Sequence, residues 1–172
     1  LLGVGAVKFG AFSLKLHETN PDAPLSPIYI DLRTADNPRG GPLTPKIVQM
    51  IGRQLYGLAA TLELRFARIA GVPNAGDPLA EAFASSVPSS GFRIPILKLG
   101  KTVTTKGRSI EGEVQGYWNP HDCVLLIDDL ITGAHSKLEA VQALEKQRLQ
   151  VRDVLVALDR EQGGPQELER HE

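Results

Sequence analysis

The stretch from Cys123 to Glu145, CVLLIDDLITGAHSKLEAVQALE, constrains this chain more than any other. Val124 to Ile127 is a short run of β-branched and leucine side chains, as in a strand buried on both faces. Asp128 and Asp129 stand where that strand is expected to end. Ile131 to Ser136 reads as a loop of small and hydroxylic residues. Leu138, Val141 and Leu144 then recur at three-residue spacing, which predicts one apolar face of a helix. The open N–H groups and positive dipole end of such a helix start favour a phosphate. Two carboxylates at the carboxyl end of a strand, beside that turn, point to a ligand with both hydroxyls and phosphates. The same residues also suit a solvated turn and a plain helix cap. Strand–loop–helix units are common in α/β folds, so spacing alone leaves both readings open.

The rest of the chain repeats the alternation. Val7 to Lys15 and Ser26 to Arg33 read as strands, with Ile28 and Ile30 on one face and Tyr29 and Asp31 on the other. Thr34 to Pro42 carries Asn37-Pro38 and Gly40-Gly41 and reads as a loop. Thr44 caps a helix that opens on Pro45, with Ile47, Ile51, Leu55 and Leu58 as its buried side. Phe66 to Val72 is a strand, and Gly71 to Pro78 is a turn built of breakers. A short helix over Leu79 to Ser85, a strand over Ile94 to Leu97 and a mobile loop over Thr102 to Glu113 follow. Val151 to Leu158 is the last strand, closed by DREQGG, and Gln166 to Glu172 reads as a polar tail. Strands alternating with helices predict a mostly parallel sheet covered on both faces.

With 172 residues the chain suits a single domain, 1–172. It begins at a leucine, so an excised part of a longer polypeptide is expected. A net charge of −1 offers no global field for nucleic acid. No apolar run is long enough for a membrane span. The one cysteine, Cys123, leaves no internal disulfide or cysteine zinc cluster. A cytoplasmic protein is the expectation. The four histidines, His17, His121, His135 and His171, share no metal-ligand spacing, and Trp118 reads as a packing aromatic.

The string IDDLITGAHS resembles the motif with which type I phosphoribosyltransferases bind phosphoribosyl pyrophosphate (PRPP): a hydrophobic strand, two acids, two apolar residues and a Thr/Gly/Ser loop. The likeness covers nearly the whole chain. KFG at 8–10, SPIYIDLR at 26–33, GVP at 71–73, PLA at 78–80, Leu97-Lys98 with Lys101, IEG at 110–112 and LDREQGG at 158–164 follow in the order seen in the orotate-using branch. They are most similar to its form fused to orotidine 5′-phosphate decarboxylase. The resemblance implies an α/β type I phosphoribosyltransferase fold: a mostly parallel twisted sheet, helices on both faces and a small N-terminal hood. It implies transfer of the phosphoribosyl group from PRPP to orotate, releasing pyrophosphate.

Residue by residue, the resemblance gives Asp128 and Asp129 the ribose hydroxyls, with Asp129 also catalytic. Ile131, Thr132, Gly133, Ala134, His135 and Ser136 would surround the 5′-phosphate. Arg160 would grip the orotate carboxylate, since a guanidinium forms a two-pronged contact with it. Lys15 would reach base and pyrophosphate, and Pro73 and Asn74 would form the pyrophosphate turn. Lys98 and Lys101, with Lys106 in the same loop, would act on the leaving group of a neighbouring subunit, so a homodimer is implied. Mg²⁺ would be held mainly by PRPP rather than by protein ligands. The chain departs from the family pattern at Leu97, Leu99, Val103 and Thr104, at Asn74 and Asp77, and at Ala134, where a loop glycine is usual. Two other readings stay open: transfer to a different base, and a catalytically weak PRPP- or nucleotide-binding module with a regulatory or assembly role.

Overall fold

In the computed structural model, residues 1–14, 17, 20–88, 93–104, 107–110 and 113–171 are described. The chain divides into two compact units, Leu1–Thr44 and Pro45–Glu172.

In the first unit, β1 (Val7–Phe12) pairs antiparallel with β2 (Ser26–Ile30), placing Val7 opposite Ile30 and Phe9 opposite Ile28. The second strand is shorter than the expected Ser26 to Arg33. It stops at Ile30 because Asp31 folds back on Arg33. The Asp31 carboxylate accepts from Arg33 Nε and Nη2, both at 2.7 Å, and from the Arg33 main-chain N–H. That guanidinium holds the Asp31 carboxyl below its ordinary value.

The second unit is built on the sheet order β7-β4-β3-β8-β9. Its strands are β3 (Arg68–Gly71), β4 (Ile96–Leu99), β7 (Val114–Gln115), β8 (Cys123–Ile131) and β9 (Gln150–Asp159). β4, β3, β8 and β9 run parallel, and β7 is an antiparallel edge. Val124, Leu125, Leu126 and Ile127 are all fully buried, as their unbroken apolar run required. Val124 and Leu126 share a cluster with Ala140, Ala143 and Leu144 of helix α3 (His135–Glu145), and Trp118 packs against it. Leu125 and Ile127 alternate to the other face. Helices α1 (Pro45–Thr61) and α2 (Gly76–Ser86) pack on each other, and α2 also lies against β3 and β8. Among the described residues no helix is long and apolar enough to cross a membrane.

Several expectations shift. The buried side of α1 is Val48, Gly52, Leu55 and Ala59, while Leu58 is exposed. Bulk misled the reading. A Cβ on Gly52 would lie 2.5 Å from Ala82 Cβ, so the helices meet there at small residues, and Leu58 turns outward. α3 fully buries Lys137, Ala140, Ala143 and Leu144, while Leu138 is half-buried and Val141 packs half-buried against the core cluster. α2 begins at Gly76, inside the expected turn. The expected mobile loop over Thr102 to Glu113 contains a hairpin, β5 (Thr102–Thr104) antiparallel to β6 (Gly107–Ser109). Low apolar content speaks to burial. Backbone pairing follows the β-branched Thr102-Val103-Thr104 instead. The expected polar tail holds a helix, α4 (Gly164–Glu169), entered through Gly163 at φ 85° with Pro165 in its first turn.

Candidate functional site

The parallel strands β3, β4, β8 and β9 deliver their carboxyl ends to one rim, where open α/β sheets place ligands. β8 runs further than its apolar stretch. β9 pairs with it beyond Ile127, with Asp128 opposite Val156, Leu130 opposite Leu158 and Ile131 opposite Asp159. The acidic pair therefore lies inside the strand instead of past its end. The partner strand β9, one residue longer at each end than the predicted Val151 to Leu158, supplies the extra main-chain bonds.

Strand alternation then separates the two carboxylates. Asp128 is 4% exposed, and its Oδ2 lies 2.6 Å from Nζ of Lys137, itself 3% exposed. Its Oδ1 accepts the Asp129 N–H at 2.8 Å. Lys137 Nζ also donates to the Leu130 carbonyl. Asp129 is half-buried, and its Oδ1 accepts the Leu130 N–H at 2.7 Å. Burial first, then the Asp128 charge, pushes its carboxyl up to about 7. Asp77, in the first turn of α2, is pushed up to about 6, chiefly by burial.

Past β8 the chain turns into α3 through Thr132, Gly133 and Ala134. Ala134 has φ −87° and ψ −5°, an ordinary right-handed conformation, so alanine is accommodated without the positive φ that would favour glycine. The Ala134 carbonyl accepts from the N–H groups of Lys137 and Leu138, and its N–H donates to Glu167 Oε2 of α4 at 3.3 Å. An acidic side chain thus touches the turn expected to receive a phosphate. His135 is 74% exposed and lies 3.3 Å from Glu139 Oε1. Ser136 and Thr132 are half-buried, Gly133 is exposed and Ile131 is buried.

The remaining expected residues lie near this rim or outside the description. The Arg160 N–H donates to the Ile131 carbonyl at 3.0 Å, which ties the end of β9 to the end of β8. Lys101 Nζ donates to the Pro73 carbonyl at 3.0 Å, bringing a cation to the turn after β3. Pro73 is buried and Asn74 exposed in that turn. Lys98 is exposed and ion-paired with Glu81 of α2. Lys15 and Lys106 lie outside the described residues. Among the described residues, no three His, Cys, Asp or Glu side chains gather as a metal site.

Sequence reasoning passed over Lys137, Glu167 and Glu81. Lys137 carried a signal: it is a lysine in the first turn of a helix, eight to nine residues after two acids. Glu167 carried none, because its contact depends on how α4 folds back toward the turn.

No protein-family model matches the chain. Individual relatives do. The chain is 37% identical over 172 residues to the Bos taurus uridine 5′-monophosphate synthase, covering 98% of this chain and 31% of that protein. It is 30% identical over 148 residues to the Aquifex aeolicus orotate phosphoribosyltransferase, covering 85% of this chain and 74% of that enzyme. The structure of Leishmania donovani UMP synthase superposes with a TM-score of 0.75 at 27% identity, over 99% of this chain and 32% of that one. The chain thus spans about a third of the length of the synthases it matches.

Proposed function

The chain belongs to the orotate phosphoribosyltransferase family, and from that premise we propose that it transfers the 5-phosphoribosyl group of PRPP to orotate, giving orotidine 5′-phosphate and pyrophosphate. One observation carries the reading beyond kinship. The half-buried carboxylate of Asp129, the turn at 132–136 and Arg160 are joined at one rim by the pairing of β8 with β9 and the Arg160–Ile131 bond.

In this reading Asp129 accepts the pentose hydroxyls. The main-chain N–H groups of Thr132 to Ser136 hold the 5′-phosphate at the start of α3, where the helix dipole favours an anion. Arg160 clamps the orotate carboxylate in a charge-assisted pair. Lys101 at the Pro73–Asn74 turn, and Lys98 from β4, neutralise the departing pyrophosphate. Displacement at the anomeric carbon passes through an oxocarbenium-like sugar, so fixed charge and exclusion of water do most of the work. Mg²⁺ carried by PRPP would offset the pyrophosphate charge; the chain's own part is to orient the sugar and the base. The working form is a cytoplasmic homodimer. Its partner, by fusion or association, is an orotidine 5′-phosphate decarboxylase.

The direct test follows orotate absorbance with PRPP and Mg²⁺ present. Loss of absorbance matched by pyrophosphate release is expected. Saturable PRPP binding with orotate untouched would replace this reading by the binding-module one. Arg160→Ala is expected to raise the orotate KM by about 10- to 100-fold, the scale of a lost charged hydrogen bond. PRPP affinity should be retained, and equal loss of both would remove Arg160 from the base site. Because Glu167 meets the Ala134 N–H, PRPP has to displace it. Glu167→Gln is expected to lower the PRPP KM by about 2- to 5-fold, the scale of one exposed charge contact. An unchanged KM would mean that Glu167 leaves the turn without cost.

A further inference from the structure

Two adjacent acids on one strand invite the assumption that both serve the ligand, yet their environments differ. The Asp128 side chain is almost wholly buried, with one oxygen on Lys137 and the other on the Asp129 N–H. Lys137 spends its ammonium on that carboxylate and on the Leu130 carbonyl, and it is as buried as its partner. Space around Asp128 is tight as well, since a Cβ on Gly76 would lie 3.2 Å from its Cα. Asp129 alternates to the other side of β8 and keeps part of its surface exposed.

We infer that Lys137 is a positioning residue: it anchors Asp128 away from the ligand, braces the turn through the Leu130 carbonyl and leaves Asp129 as the one carboxylate of the pair that meets the pentose hydroxyls. This deepens the proposed phosphoribosyl transfer and rests on it for the identity of the ligand. The geometry of the pair stands independently of that identity. A hydrophobic residue here would leave Asp128 buried without a counter-charge, so the lysine and the first acid form a unit.

Several charged groups surround Asp129. Asp128 is on its own strand and Lys137 is on α3. Asp77 on α2 feels the Asp128 charge, which adds a little to the rise that burial gives its carboxyl. Arg160 follows β9, and Glu167 of α4 reaches the adjoining turn. Of these, the Asp128 charge raises the Asp129 carboxyl and Lys137 lowers it, the former more strongly.

The test uses the full chain with four variants: Asp128→Asn, Asp129→Asn, Lys137→Met and the charge-balanced Asp128→Asn/Lys137→Met. PRPP binding in Mg²⁺ is read by calorimetry, and the Asp129 carboxylate is titrated by ¹³C NMR without ligand. Asp129→Asn is expected to weaken PRPP binding by more than about 100-fold, while the charge-balanced double variant, which removes Asp128 without stranding Lys137, loses far less. In the ligand-free titration, Lys137→Met moves the Asp129 midpoint to higher pH. Asp128→Asn moves it lower, and the double variant also lies lower. The double variant regains the thermal stability that Lys137→Met loses; should the single variant not fold, the double carries the titration. Equal loss of PRPP binding in Asp129→Asn and in the double variant, or an Asp129 midpoint that neither neighbour moves, would overturn the inference. If the parent chain binds no PRPP, the phosphoribosyl reading fails, and the titration still decides whether Lys137 and Asp128 act on Asp129 as a unit.

Discussion

Asp129→Asn is expected to lower kcat/KM for PRPP by on the order of 10²- to 10³-fold and, in the same protein, to raise the melting temperature of the ligand-free chain at pH 8. The activity loss follows from removing a fixed negative group that meets the sugar as positive charge develops at its anomeric carbon. The stability gain follows from the environment of that group. Burial and the Asp128 charge push the Asp129 carboxyl from an ordinary 3.8 up to about 7. Between those values the folded chain keeps a proton that the unfolded chain has released. The unfolded state then binds fewer protons, so stability falls as pH rises from about 4 to about 7 and is level outside that window. Asp77, raised to about 6, slopes the same way over a narrower range. Asp31, held low by Arg33, slopes the opposite way below its ordinary value. Comparing melting curves of parent and variant across pH 3–9 isolates Asp129. A difference that stays constant through pH 4–7 would mean that its surroundings do not disfavour its charge.

Gly76→Val is expected to destabilise the chain by about 3 kcal/mol or more, at or beyond the upper end of the usual range for overpacking. A Cβ at this position would lie 2.4 Å from the Ile127 carbonyl oxygen and 3.3 Å from Asp128 Oδ1. The first of these is sheet backbone, which cannot swing aside as a side-chain tip can. Gly71 is confined in the same way, with its added Cβ 2.6 Å from the Asp77 backbone. β3, the turn after it and the start of α2 therefore pack against β8 main chain to main chain. The damage should also reach function, because displacing α2 shifts the Pro73–Asn74 turn. Gly57→Ala is the control. It lies in α1 with open space around its Cβ, and the change should add about 0.5–1 kcal/mol. Urea unfolding of the three proteins measures both effects. A loss below about 1 kcal/mol for Gly76→Val would show that β8 and α2 can separate freely.

Lys137 and Glu167 show where local reading stops. From the residues alone, Lys137 offers only its place shortly after the two acids, and a lysine at a helix start is usually solvated. It is buried because α3 lies along β8 and the strand's alternation points Asp128 at it. Glu167 reads as one more acid near a polar terminus. Only the short helix α4 carries it to the Ala134 N–H. The buried face of α1 was misjudged for a related reason. Hydrophobic bulk marks what can be buried, but close helix contact selects the smallest side chains, and Gly52 lies at such a contact against Ala82.

What the residues determined unaided was the alternation of strands and helices, the unbroken apolar run that had to lie at the sheet's centre, and a run of motifs specific enough to point to the family. Those signals are local: they depend on periodicity, on turn-forming residues and on short strings. Tertiary structure alone decided how far β8 extends, which acid keeps an exposed edge, what neutralises the other, and which carboxylate meets the turn at Ala134. Each of these depends on a partner distant in the chain. The environment of a charged group is set by what packs around it, and no window of sequence contains that.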